Sequence, residues 1–133
     1  MNEEEIIIGK AYTYFAIDSD SQTEADFFQW LGIEPDSFET IETIHGGWVK
    51  TWKITTPMTD DPYLHPMIRG IMDRLLPIKD RLIAFKRAYP DLDYELQVVL
   101  WQGHGTAGLS LDNDTLQFLG EIGALLDCDI YRQ

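Results

Sequence analysis

One cysteine, Cys128, stands in 133 residues, so no disulfide can form within the chain. A lone thiol between two aspartates suits a reducing cytosol, the expected compartment, and reads as a small packed residue rather than a nucleophile. The amino terminus is acidic where a secretory leader would be basic, and its apolar run is only Ile6, Ile7 and Ile8. Neither a signal peptide nor a membrane span is expected. Basic residues are scarce: 10 Lys and Arg face 23 Asp and Glu, a formal charge of −13. Such a surface repels phosphate backbones and anionic lipid, which argues against nucleic acid or membrane as a partner. Linkers and low-complexity stretches are absent too. The chain reads as one domain over residues 1–133, with disorder expected only in residues 1–5.

The charge that is present is unevenly laid out. Between Asp61 and Pro90 six bases (Arg69, Arg74, Lys79, Arg81, Lys86 and Arg87) outnumber three acids (Asp61, Asp73 and Asp80), a local balance of +3 that leaves −16 on the rest. Solubility explains an acidic surface simply. A basic protein partner is the sharper reading.

Residues 12–17 alternate aromatic and β-branched side chains on both faces, the mark of a central strand. Thr23 and Asp26 form a helix-start signal before Phe27, Phe28, Trp30 and Leu31, and Gly32 and Pro35 stop that helix. Residues 38–44 and 48–55 flank His45-Gly46-Gly47 as a hairpin would. A longer helix opens at Asp60-Asp61-Pro62 and is broken by Pro77, giving helices over 62–76 and 78–88. Residues 94–101 form the clearest strand. A glycine-rich loop then leads to a short strand at 109–111, a helix capped by Asp112 and ended near Gly123, and a final strand. The fold class is therefore α+β: an antiparallel or mixed sheet of about five or six strands, one long interrupted helix and two short ones. Ile71, Leu75, Val98, Leu100, Leu116, Leu119 and Leu125 are the expected core. The short helices share a pattern, Asp26-Phe-Phe-Gln-Trp-Leu-Gly32 against Asp114-Thr-Leu-Gln-Phe-Leu-Gly120, which raises the prospect of a duplicated strand-helix-strand unit.

No residue set that chemistry requires can be assembled. Asp18-Ser-Asp-Ser-Gln-Thr23 and Asp112-Asn-Asp-Thr115 begin like calcium loops but lack the glycine at the sixth position, and helix capping explains both. Gly103-His-Gly-Thr-Ala-Gly108 has the glycines of a phosphate loop without its lysine. Asp127 and Asp129 alternate on a strand and point to one face, into solvent. What remains is a pair of glycine-flanked histidines near tryptophans. Were the strands at Trp48 and Trp101 antiparallel neighbours, His45, Trp48, Trp101 and His104 would meet at one sheet edge as a ligand- or partner-binding site. The spacing matches no metal motif, so no metal and no cofactor are assigned.

Leu31-Gly-Ile-Glu-Pro35, Trp48, Gly108-Leu-Ser110, Ile122-Gly-Ala124 and Asp129-Ile-Tyr131 together resemble the bacterial family of domain of unknown function 4279. The resemblance runs from residue 12 to 131 through short structural motifs. It implies a small bacterial α+β protein with no established enzyme function and no catalytic residues to carry over. Joined to the charge, it leads to a non-enzymatic cytoplasmic interaction protein, an immunity-type inhibitor of a basic partner. The alternative is a small-ligand or metal-dependent enzyme or binding protein using His45 and His104.

Overall fold

The structure is a computed structural model that describes residues 10–60, 64–102 and 109–132. The expected disorder of residues 1–5, the Asp61-Pro62 helix start and the loop holding His104 lie outside these residues. The elements run β1 (Ala11–Ser19), α1 (Glu24–Leu31), β2 (Ser37–Glu42), β3 (Trp48–Thr55), α2 (His65–Leu75), α3 (Lys79–Ala88), β4 (Asp93–Gln102), α4 (Asn113–Ile122) and β5 (Ala124–Arg132). The sheet has five strands in the order β2-β3-β1-β4-β5, so the aromatic β1 is central as its two-sided pattern requires. It is mixed: β1 is antiparallel to β3 and β4, β2 is antiparallel to β3, and β4 is parallel to β5.

Alternation divides the strands between two faces. Ala11, Phe15, Ile17, Trp52, Ile54, Tyr94, Leu96, Val98 and Leu100 enter one core together with the buried stripes of all four helices. The helices therefore share one side of the sheet, and no described helix covers the other. Phe85 ties α1 to α3, its ring 5.1 Å from Phe27 edge-on and 5.5 Å from Trp30 stacked. The Tyr94 hydroxyl donates to the Leu82 carbonyl at 2.8 Å and the Thr13 hydroxyl to the Gln97 carbonyl at 2.7 Å, whereas the indole N–H of the fully buried Trp52 has no partner among the described residues.

The caps follow the sequence signals. Thr23 and Asp26 exchange side-chain and backbone bonds at 2.9 and 3.2 Å, and Asp112 accepts from the Thr115 amide at 2.8 Å. Pro77 produces a single 3-10 turn, Leu76–Ile78, between α2 and α3.

Four expectations are corrected. Helix α2 begins at His65 with Pro66 in its first turn, later than expected, and its cap residue Leu64 makes no side-chain cap bond. Residues 109–111 form no strand. Leu116 is 51% exposed because α4 turns Thr115, Phe118, Leu119 and Ile122 inward, and Leu116 sits about 100° from the first of these. Leu125 is 63% exposed because the parallel register with β4 sends Ala124, Leu126 and Cys128 toward the helices and Leu125 the other way. The matched heptapeptides also differ in space. Gly32 ends α1, whereas Gly120 lies inside α4, which runs on to Gly123. The first strand-helix-strand unit has β3 inserted between its strands, while β4 and β5 are adjacent.

Four of the six basic residues of the long helix are used locally. Arg74 grips both oxygens of Asp36 at 2.7 and 3.2 Å, and Lys79 pairs with Glu121. Lys86 donates to the Gly123 carbonyl at the end of α4, where a cation also meets the negative end of the helix dipole. Arg81 lies over the end of α1: a Cβ added to Gly32 would sit 2.5 Å from its Nη1. Gly32 has φ +73°, a left-handed conformation that costs an L side chain roughly 1–2 kcal/mol. Gly32→Ala is therefore expected to destabilise by about that amount, with Arg81 displaced as well. A urea midpoint equal to the parent's would show that the end of α1 adjusts without strain.

Candidate functional site

The side of the sheet away from the helices has a distinct composition. By alternation and register it presents Asp18 from β1, Glu39 from β2, Asp93 and Glu95 from β4, and Asp127 and Asp129 from β5. Against these six carboxylates the described strand residues on that face include one base, Lys53.

A row of aromatic rings crosses the same face. Tyr14 and Tyr12 are 6.1 Å apart on β1, Tyr12 and Trp101 are 5.9 Å apart across to β4, and Trp101 and Tyr131 are 5.4 Å apart across to β5. All three pairs are tilted by 31° or less, so the rings form a nearly continuous shelf. Tyr131 at its edge is 48% exposed. Lys53 places its ammonium 4.2 Å from the centre of the Tyr14 ring, so the face already holds one cation over an aromatic surface.

The carboxylates are crowded. Burial, then the charges of Asp127 and Asp18, push Glu95 above the usual glutamate range. Burial, with Glu95 next, pushes the Tyr14 hydroxyl up to about 12. Gln97, only 2% exposed, donates to Asp129 at 2.8 Å, and the Thr51 hydroxyl donates to Asp18 at 2.7 Å. These donors hold two carboxylates in place without neutralising them. A cation brought to this face would relieve the repulsion.

The raised Glu95 pKa has a stability consequence. Between the ordinary value of 4.5 and the raised one, the folded chain binds more protons than the unfolded chain, so this group's contribution falls as pH rises through that window. Glu95→Gln is expected to raise the urea midpoint at pH 7 and to remove part of the parent's gain on mild acidification. A variant less stable than the parent at pH 7 would show that the ionised carboxylate is well accommodated.

Of the residues singled out from the sequence, Trp48 and Trp101 lie at opposite ends of the sheet. Strand β1 lies between β3 and β4, which run in the same direction. Trp48 opens β3 beyond the pairing of Lys50 with Ser19, whereas Trp101 follows the pairing of Leu100 with Ala11 at the other end of β1. Nine residues of strand, about 30 Å, separate those ends. Trp48 also alternates with Trp52 onto the helix side, while Trp101 is on the other. His45 is exposed in the β2–β3 turn, and His104 lies outside the described residues. Among the described residues no three His, Cys, Asp or Glu side chains are grouped to hold a metal ion. Burial, then Asp127 and Asp129, raise the Cys128 thiol pKa, which disfavours the reactive thiolate. Among the described residues no helix is long and apolar enough to cross a membrane.

Tyr12 and Tyr14 share a face in the sequence pattern, but their continuation through Trp101 to Tyr131 depends on two registers, one antiparallel and one parallel. The repeated aromatic-at-alternate-position pattern was the available signal.

Residues 9–133, nearly the whole chain, match the family model described as Domain of unknown function (DUF4279), and the chain belongs to that family. No curated protein and no solved structure matches it.

Proposed function

We propose that this member of the DUF4279 family is a non-enzymatic binding protein of the bacterial cytoplasm that captures a basic protein, as an inhibitor of the immunity type does, through the sheet face away from its helices. The observation that carries this reading is the aromatic shelf set among six carboxylates. Aromatic rings supply contact area at low entropic cost and attract cations, while fixed carboxylates select arginine and lysine. The same charges disfavour nucleic acid and anionic lipid. The long helix contributes little to this field, because it packs on the opposite side of the sheet and four of its six bases, Arg74, Lys79, Arg81 and Lys86, are engaged with Asp36, Glu121 and the ends of α1 and α4.

Capture from bacterial cytosol at low and moderate salt tests the reading, with Asp127→Asn/Asp129→Asn as the control bait. A basic protein retained by the parent, lost from the control and released by salt is expected, since screening shortens the reach of exposed charges. Retention of the same partner by both baits would place the interface elsewhere.

A further inference from the structure

Strand β5 ends the sheet, and among the described residues no strand pairs with its outer edge. It is nine residues long and pairs with β4 at every position from Ala124 to Arg132, without a bulge to turn the edge away. The opposite edge, β2, is six residues long. Exposed strand edges recruit other strands unless proline, lysine or a bulge blunts them, and Ala124–Arg132 contains neither proline nor lysine. What β5 carries is Asp127 and Asp129 on the carboxylate-rich face, flanked by the exposed Leu125 and Tyr131. The other face offers Leu126, Cys128 and Ile130.

We propose that the outer edge of β5 accepts an extended segment of a basic partner as a sixth strand, with lysine or arginine at two alternate positions beside Asp127 and Asp129. This rests on the reading of the carboxylate-rich face as a surface for a cationic protein. The segment is about seven residues long. Its first and last residues are apolar or aromatic, beside Leu125 and Tyr131, and the residue between the two cations and the one on each side of them are apolar, beside Cys128, Leu126 and Ile130. Backbone bonds supply strand affinity, and alternate side chains supply selection. A second copy of this chain is a poor occupant. Antiparallel pairing centred on Cys128 sets Asp127 against Asp129 of the other copy twice, parallel in-register pairing sets each aspartate against itself, and facing like charges destabilise a strand pair. The two carboxylates thus discourage self-association while admitting a cationic strand.

Two nine-residue peptides of one composition test this, one alternating lysine with valine and one with its lysines in a single block. The alternating peptide is expected to bind about tenfold more tightly, a difference of about 1.4 kcal/mol. It is also expected to slow hydrogen exchange of β5 amides and to give cross-strand nuclear Overhauser contacts to β5. If both peptides shift the Trp101 and Tyr131 signals equally and β5 exchange is unchanged, strand addition is overturned while the cationic face stands. If neither peptide perturbs those signals, both readings fall. Dimers of the protein alone with slowed β5 exchange would assign the edge to a second copy and overturn the proposal.

Discussion

Phe85→Ala is expected to destabilise the protein by about 3–5 kcal/mol, the cost of emptying a large aromatic site in a core that cannot collapse around it. The ring is fully buried and contacts Phe27 and Trp30 of α1 as well as Tyr89 beyond its own helix. Removing it unlinks α1 from α3 and leaves Trp30 without its stacking partner. Against a typical total stability of about 5–15 kcal/mol, such a loss brings a domain close to its unfolding threshold at room temperature. Leu116→Ala supplies the contrast. That side chain is exposed on α4, so its truncation is expected to change stability by less than about 0.5 kcal/mol. Urea unfolding of the two variants checks both statements, and a Leu116→Ala loss comparable to that of Phe85→Ala would reverse the assignment of the α4 face.

Trp101→Ala is expected to weaken capture of the basic partner roughly 30-fold or more, about 2 kcal/mol, as truncating a central interface aromatic does. Trp101 is the middle of the shelf, with Tyr12 5.9 Å away on one side and Tyr131 5.4 Å away on the other. Its loss therefore breaks the row in two. Asp127→Asn/Asp129→Asn acts differently: it is expected to slow association and flatten its salt dependence, because charge at a rim mainly sets the encounter rate. Surface plasmon resonance with the captured partner, at two salt concentrations, separates the two effects. Equal dissociation rates for the parent and Trp101→Ala would remove the shelf from the interface. Unfolding midpoints measured alongside show whether either variant has lost its fold instead.

Local signals carried over well wherever the deciding interactions span only a few residues. The Thr23–Asp26 box, the Asp112 cap, the left-handed ends at Gly32 and Gly123 and the break at Pro77 each depend on backbone geometry within one or two helical turns. The start of α2 falls later than the sequence suggests, at His65, where Leu64 makes no side-chain cap bond and Pro66 sits in the first turn, so no local capping signal marks it. Leu116 and Leu125 were misplaced for a different reason. An apolar residue next to the true stripe of α4, or on a strand with apolar residues of both parities, fits either face until the neighbouring element is in position.

By itself, then, the sequence determined the α+β class, the central place of the β1 segment, the capped ends of α1 and α4 and the excess of negative charge, since these follow from composition and short-range geometry. Which residues meet was decided only by tertiary structure. Strand order put β1 between Trp48 and Trp101 and so parted the expected His45 and Trp48 cluster from Trp101. The parallel register of β4 with β5 brought Trp101 to Tyr131 and Glu95 among Asp127 and Asp129. Pairing between strands about thirty residues apart is set by the packing of all helices on one side of the sheet, a global balance of buried area that no local pattern encodes.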